Sequence, residues 1–335
     1  MIRRTLLLML CVLVPFAVFG QTTLNGAGAT FPNPMYSKWF SEYHKLHPDV
    51  QVNYQPIGSG GGIRQVIAGT VDFGASDMPM TDDQLHEVKV KTLNIPTVLG
   101  AVVPAYNVPG VTAEVKFTPA ALAGIFLGTI SNWNDKAIGS ANPGVNFPNQ
   151  DIIVVHRSDG SGTSFIWTDF LSKVSPEWKN QVGSGTSVKW PKGLGGKGNE
   201  GVAGSIRQLP GSIGYVELIY AVQNNIAYGS VKNSAGNFVK ASLEGVTAAA
   251  AAAPKMPADF RVSITNAPGK DSYPISSFTW LLVPVQSKDA AKGKILADFL
   301  NWMVDDGQKM TAALAYAPLP DNVVQKVKET IKQVK

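Results

Sequence analysis

A short polar segment near the middle of the chain combines an arginine, a carboxylate and several hydroxyls with small residues. It begins at His156, ends at Ser164 and has the sequence HRSDGSGTS. A β-like run precedes it and a helix-like run follows, which predicts a strand, a turn and a helix N-terminus. Unpaired N–H groups and a partial positive charge at such a helix start favour anions. With Arg157 added, the segment indicates an oxyanion site, although a capped helix would have the same pattern.

Two other places repeat the order of strand, small-residue turn with a hydroxyl, and helix. They are GATF at 28–31 and GSGGG at 58–62. A further strand-like run ends at the carboxylate of Asp77. Three such turns could direct three helix N-termini at one point. For each hydroxyl alone an ordinary N-cap is the alternative. The hydroxyls at these turns are those of Thr30, Ser59, Ser161 and Thr163.

The rest of the chain must supply the elements that bring these turns together. Strand-like and helical segments alternate, which predicts an α/β protein, and 335 residues exceed the usual size of one domain. Two long β-rich runs, at 96–107 and 277–284, bracket the middle of the chain and could cross between lobes. We therefore expect a two-lobed fold, each lobe a central sheet flanked by helices, with a two-strand hinge. The first lobe would comprise residues 21–103 and 280–335, and the second 104–279.

The N-terminus has the pattern of a secretory signal. Arg3 and Arg4 form a basic head, an apolar run at 6–19 follows, and Gly20 precedes a suitable cleavage point. The apolar run is short for a membrane span, so an uncleaved anchor is the weaker alternative. We predict a signal peptide at 1–20 and export to the periplasm.

Composition excludes several classes of site. Cys11 is the only cysteine and lies within the predicted signal, so the mature chain would have no disulfide, thiolate metal site or cysteine nucleophile. The net charge is +5, and the basic residues are dispersed. Nucleic-acid binding therefore has little support, whereas a mild positive field could gather small anions. No histidine pattern indicates a metal, because His44 and His47 lie near a helix end and fit a solvated face better.

The mature chain resembles the periplasmic phosphate-binding proteins of ABC-type phosphate importers. The resemblance extends over nearly all of residues 24–325. The motifs that carry it are GAGATFP at 26–32, GSGGG at 58–62, VDFGASD at 71–77, DGSGTSF at 159–165, VKWP at 188–191, GLGGKGN at 193–199 and PGSIGYVE at 210–217.

The resemblance implies a periplasmic-binding-protein-like fold and a set of phosphate ligands. Asp159 would hold the guanidinium of Arg157 in place. Position 60 departs from the commonest family pattern, in which a second serine follows the first, but Gly60 is not an expected ligand. The implied phosphate contacts are Thr30, Phe31 (backbone N–H), Ser59, Asp77, Arg157, Ser161, Gly162 (backbone) and Thr163.

Asp77 is the unusual member of this set, because a carboxylate facing an anion should repel it. It fits a ligand that brings a proton, as phosphate does at neutral pH and sulfate does not. A site built to accept a specific hydrogen strongly rejects an isostere that lacks it. Taken alone, Asp77 could instead be a strand-end residue that caps a nearby backbone N–H. Together with the resemblance it predicts high-affinity binding of inorganic phosphate, and the resemblance implies its delivery to a membrane-embedded ABC permease. The protein would be a monomer that closes at its hinge, with no cofactor, no metal and no catalysis.

The alternative from another class is a secreted phosphate-ester hydrolase. Ser161 or Ser59 would be its nucleophile and His156 the nearest candidate base, but no G-x-S-x-G elbow is present. A sensor or adhesin that reuses the fold stays open. The GLGGKG segment at 193–198 matches a dinucleotide fingerprint only weakly, and we interpret it as a loop of the second lobe.

Overall fold

The computed structural model describes residues 21–253 and 255–335, so the predicted signal peptide lies outside the described residues. None of the helices in these two stretches is long and apolar enough to cross a membrane. The strands in the same stretches are β1 (Thr22–Gly28), β2 (Val50–Gln55), β3 (Phe73–Ser76), β4 (Thr92–Asn107), β5 (Lys116–Phe117), β6 (Ile153–Arg157), β7 (Leu194–Gly196), β8 (Ser212–Glu217), β9 (Ala227–Tyr228), β10 (Ser230–Lys232), β11 (Phe238–Val239) and β12 (Ser276–Pro284).

Helices alternate with these strands along the chain. Two short 3-10 turns follow α11, at Gly307–Met310 and Ala312–Leu314. The α-helices are α1 (Asn33–Leu46), α2 (Ser59–Ala68), α3 (Asp82–Glu87), α4 (Pro119–Leu127), α5 (Lys136–Gly139), α6 (Gly162–Val174), α7 (Pro176–Gln181), α8 (Gly198–Gln208), α9 (Leu218–Gln223), α10 (Leu243–Ala252), α11 (Ala290–Asp305) and α12 (Asp321–Ile331).

One mixed sheet runs through the molecule in the order β2-β1-β3-β12-β4-β8-β6-β7, and β9 also pairs with β4. Strand β4 joins its two halves, because residues 92–101 pair with β12 and residues 102–107 pair with β8. Helices α2 and α11 pack on the first half, and α6 and α8 pack on the second. A small separate sheet contains β11, β10 and β5. The predicted two-lobed α/β fold is therefore confirmed.

The chain crosses between the halves in two places, as the hinge prediction requires. The first crossing is β4. The second lies just before β12, where the Val102 N–H donates to the carbonyl of Ile275 at 2.9 Å, whereas β12 itself pairs only within the first half of the sheet. The predicted lobe boundaries fall inside β4 (103 and 104) and β12 (279 and 280). The division of the chain at those positions stays a prediction.

Helix starts at the carboxyl ends of parallel strands position the site. Strands β1, β2 and β6 are followed by such turns, and Asp77 directly follows β3. Ser161 caps α6 by accepting the Ser164 N–H at 3.0 Å. Helix α2 begins at Ser59, inside the GSGGG segment predicted as the turn before the helix, because the glycine run forms the first helical turn. A Cβ on Gly62 would lie 2.7 Å from the Ala27 carbonyl oxygen, so only glycine lets this turn approach β1.

The GLGGKG segment is more than the loop that the sequence suggested. Its residues form the edge strand β7 and the start of α8. Strand β7 pairs in parallel with β6, so a fourth helix N-terminus lies beside the turn that follows Arg157. The extra strand was missed because three residues, two of them glycine, carry too little pattern to indicate a strand.

Candidate anion-binding site

The predicted site residues lie together, buried, where the turns from both halves of the sheet meet. Thr30 and Phe31 occupy the turn between β1 and α1, and Ser59 begins α2. Asp77 follows β3. The second half of the sheet contributes Arg157 at the end of β6 and the Ser161-Gly162-Thr163 turn that opens α6. The structure thus brings all eight residues into one cluster. Their roles as phosphate ligands stay predictions.

Hydrogen-bond donors dominate this cluster. The N–H groups of Gly162 and Thr163, in the first turn of α6, and that of Phe31 have no acceptor within the described part of the chain. The Ser161 oxygen accepts a backbone N–H, so its own proton is free to donate. Such an arrangement can surround a dehydrated anion with dipoles rather than with a cluster of lysines.

Asp77 is the acceptor in this cluster. Its Oδ1 accepts the Thr279 hydroxyl at 2.8 Å, and its backbone N–H donates to the Ser59 hydroxyl at 3.1 Å. Its side chain is buried, and Oδ2 faces Gly162 across the cleft. Burial raises the pKa of Asp77 to about 7, against the opposing effects of the Thr279 hydrogen bond, the Arg157 charge and the Ser59 hydrogen bond.

The burial of Asp77 makes the stability of the ligand-free protein depend on pH. Its folded pKa of about 7 lies above the ordinary value of 3.8, so the folded state holds a proton that the unfolded state releases. Stability therefore rises as the pH falls from about 7 towards about 4. We expect Asp77→Asn, which is always neutral, to raise the melting temperature at pH 8 and to change it little at pH 4. Thermal denaturation in phosphate-free buffer checks this, and an equal shift at both pH values would contradict it.

Arg157 and Asp159 form a two-point ion pair. Arg157 donates from Nε to Oδ1 at 2.8 Å and from Nη2 to Oδ2 at 2.5 Å, while Nη1 donates to the Thr163 hydroxyl at 3.3 Å. The Gly198 N–H, at the start of α8, also donates to Asp159. Burial opposes ionisation of Asp159, but the Arg157 hydrogen bonds and charge lower its pKa below the ordinary value. The pair therefore stays charged and fixes the plane of the guanidinium.

Direct bonds between the lobes hold the cleft closed. The Gly60 N–H donates to the Gly160 carbonyl at 2.9 Å, and the Tyr220 hydroxyl donates to the Thr30 carbonyl at 2.6 Å. A Cβ on Gly60 would lie 3.2 Å from the Gly160 Cα, which is tighter than ordinary van der Waals contact. A side chain at position 60 would therefore press on Gly160, so glycine allows the two main chains to approach this closely.

Two residues of the cluster were not found from the sequence. Asn199 bonds to both Thr30 and Thr163, and Thr279 bonds to Asp77. Asn199 had a usable signal, since it follows a glycine turn at a helix start inside one of the quoted motifs. Thr279 had none, because it lies in an apolar strand some two hundred residues away from its partner.

The candidate base of the hydrolase hypothesis lies apart from both serines. His156 bonds through Nδ1 to the Arg157 carbonyl, and its ring stacks on Trp190 with centroids 4.9 Å apart. Neither Ser59 nor Ser161 is hydrogen-bonded to a histidine in residues 21–253 and 255–335. The Ser59 hydroxyl instead donates to Asp77 Oδ2 at 3.5 Å, so His156 is not the base that the hydrolase hypothesis names for either serine.

Comparisons with known proteins establish the family of this chain. The model of the PBP superfamily domain matches residues 19–307. The phosphate-binding protein PstS of Xylella fastidiosa strain Temecula1 is 48% identical over 306 residues, 91% of this chain and 83% of that protein. That of Pasteurella multocida is 47% identical over 333 residues, covering 98% of this chain and 95% of that protein.

Solved structures share the architecture. A high-affinity periplasmic phosphate-binding protein, PfluDING, bound with phosphate, superposes with a TM-score of 0.74 at 22% identity, covering 92% of this chain and 93% of that one. A likeness at this identity bears on the fold alone, whereas the sequence relatives decide the family. The chain therefore belongs to the PBP superfamily and, within it, to the family of the PstS phosphate-binding proteins.

Proposed function

We propose that this chain binds inorganic phosphate in the periplasm and delivers it to a membrane-embedded ABC permease. The observation that carries the proposal is one buried carboxylate, Asp77, facing a cluster of donors that two lobes enclose. Such a site suits an oxyanion that keeps a proton. The family supports the same ligand, since the relatives at 46–48% identity are phosphate-binding proteins.

Each predicted ligand has a role that its contacts support. Asp77 accepts the P–O–H hydrogen, and Asp159 holds Arg157 so that the guanidinium faces the anion. The remaining residues donate to phosphate oxygens through a side chain or the backbone: Thr30, Phe31, Ser59, Arg157, Ser161, Gly162 and Thr163.

Closure and opening of the cleft would deliver the anion. With the lobes together, a surface spanning both of them faces the permease, and parting them exposes the anion to it. We infer that the protein acts as a monomer without a cofactor and catalyses no reaction. The relatives at 46–48% identity, which are phosphate-binding proteins, support that last point.

Titration calorimetry on the mature chain tests the function. We expect one phosphate per chain with a large affinity advantage over sulfate, and no release of alcohol from a phosphate monoester such as p-nitrophenyl phosphate. Turnover of the ester that is lost in Ser161→Ala would support the hydrolase instead. Equal affinity for phosphate and sulfate would contradict the assigned role of Asp77.

Replacing Asp77 with asparagine is expected to blunt anion selectivity. The amide keeps an oxygen that can accept the phosphate proton, but its NH₂ can also donate to sulfate, which removes the repulsion. Relief of one mismatched contact of about 1–3 kcal/mol predicts that the sulfate-to-phosphate ratio of dissociation constants falls by roughly 5- to 150-fold. Calorimetric titration with both anions measures the ratio.

Asp72→Asn is the matched control for that experiment. Asp72 pairs with Lys292 at 3.0 Å and accepts the Asn25 N–H, outside the cluster. We expect its selectivity to equal that of the unaltered protein. An unchanged ratio in Asp77→Asn would remove Asp77 from the selectivity mechanism.

A further inference from the structure

The amide of Asn199 bridges two hydroxyls that belong to different lobes. Its Nδ2 donates to the Thr30 hydroxyl at 2.9 Å and to the Thr163 hydroxyl at 3.1 Å. Its Oδ1 accepts the backbone N–H of Glu217 at 2.9 Å. The side chain is fully buried, so all three bonds form away from solvent.

These bonds permit one orientation of the amide. If the amide were reversed, its NH₂ would face the Glu217 N–H, donor against donor, in a buried place. The Glu217 backbone therefore fixes Nδ2 towards the two hydroxyls. Both threonine oxygens then act as acceptors towards Asn199.

Protein donors therefore occupy both acceptor positions of each threonine hydroxyl. The Thr30 oxygen accepts the Asn199 backbone N–H at 3.3 Å as well as Nδ2, and the Thr163 oxygen accepts Arg157 Nη1 at 3.3 Å as well as Nδ2. A hydroxyl has two acceptor positions and one proton. Neither hydroxyl donates to an acceptor within the described residues, so each proton is left for a group inside the cleft.

We propose that Asn199 is a positioning residue that forces Thr30 and Thr163 to present their hydroxyl protons to the bound anion. The proposal rests on the proposed function and assigns this residue a part in it. Asn199 touches no ligand itself. It makes the two threonines obligate donors.

The same amide ties donor orientation to closure of the cleft. Asn199 and Thr163 belong to the second half of the fold, whereas Thr30 belongs to the first. The bond to Thr30 forms only with the lobes together. The Thr30 proton is therefore directed into the site at the moment of closure.

A double-mutant cycle tests whether Asn199 acts through these hydroxyls. The phosphate dissociation constant is measured by calorimetry for Asn199→Ala in the unaltered protein and in a Thr30→Val, Thr163→Val background, where valine keeps the threonine shape without the hydroxyl. We expect Asn199→Ala to weaken binding by about tenfold or more in the first case and by less than about threefold in the second. A merely structural role would give equal losses in both backgrounds, and that result would overturn the proposal.

Asn199→Asp keeps the shape and the Glu217 bond, which guards against a folding failure in the alanine variant. Its carboxylate accepts from both hydroxyls and turns their protons away from the ligand. The added charge weakens phosphate binding in both backgrounds. A larger loss of affinity in the threonine background than in the valine background supports the proposal. An equal loss of affinity overturns it.

Asn142→Ala is the control for a lost buried amide. Asn142 is also buried, and its side chain bonds only to backbone atoms of Lys116 and Ile138, outside the cluster. It should lower the melting temperature without changing phosphate affinity. Failure of the unaltered protein to bind phosphate would contradict the proposed function, whereas normal binding by Asn199→Ala would contradict this inference alone.

Discussion

Gly162→Ala is expected to abolish tight phosphate binding while leaving the ligand-free fold intact. A Cβ at this position would lie 2.5 Å from Asp77 Oδ2 and 2.6 Å from Asp77 Cβ, and still nearer to the Ser59 hydroxyl. These atoms belong to the opposite lobe, so an alanine holds the lobes apart. Within its own helix α6 the alanine costs nothing, because alanine is the better helix former.

The loss arises because every donor on one lobe is displaced from the anion held by the other. Overpacking costs about 1–3 kcal/mol, and each displaced donor loses a hydrogen bond to the charged anion that contributes about 1.5–3 kcal/mol. We therefore expect phosphate affinity to fall at least about a hundredfold. Calorimetry measures the affinity and thermal denaturation the stability. Gly204→Ala is the control, since a Cβ there meets nothing within 4 Å. If Gly162→Ala bound phosphate as tightly as Gly204→Ala, the close approach of Gly162 to Asp77 would not be required for tight binding.

Arg157→Ala is expected to weaken both phosphate binding and the ligand-free protein. Removing one partner of a buried, hydrogen-bonded charge pair costs about 2–5 kcal/mol, a factor of roughly 30 to 5000 in the phosphate dissociation constant. Asp159 is then left partly buried without its two-point partner, so the melting temperature falls as well. Arg157→Lys restores the charge but not the planar fork, and should recover only part of the affinity.

Arg261 provides a matched control for this variant. It pairs with Asp259, two positions before it, through Nε at 2.7 Å, in a more exposed place outside the cluster. Arg261→Ala should leave phosphate affinity unchanged. If Arg157→Ala lowered stability without lowering affinity, the arginine would serve the fold alone.

Local patterns predicted the elements of this fold well where a strong signal was present. Tyr36, Trp39, Phe40 and Tyr43 recur at helical spacing and form the buried face of α1. The three hydroxyl turns likewise indicated helix starts. The glycine run at 58–62 was wrongly predicted as a turn outside the helix, because the conformation of such a run depends on the chain segments that pack against it. Gly62 packs against the backbone of β1, and this contact favours the helical conformation of the run. Local sequence patterns do not reveal a contact of this kind.

The site was predictable to the extent that each residue belongs to a recognisable turn. Thr279 and Glu217 contribute through positions set by sheet pairing: β12 lies beside β3, which places Thr279 against Asp77, and β8 lies beside β4. Such long-range contacts depend on strand order, which local periodicity does not specify. The orientation of the Asn199 amide is of the same kind, since a backbone N–H on β8 determines it.

The contact between Gly60 and Gly160 joins main chain to main chain. No side chain takes part in this hydrogen bond, so no substitution can weaken it by shortening a side chain. Substitution at either position can only add atoms and loosen it, and changes on the outer surfaces of the lobes leave it untouched. This one contact is therefore insensitive to substitutions elsewhere, and over evolutionary time it can be weakened by giving position 60 or 160 a side chain, whereas the Tyr220 bond to Thr30 can be lost with its side chain.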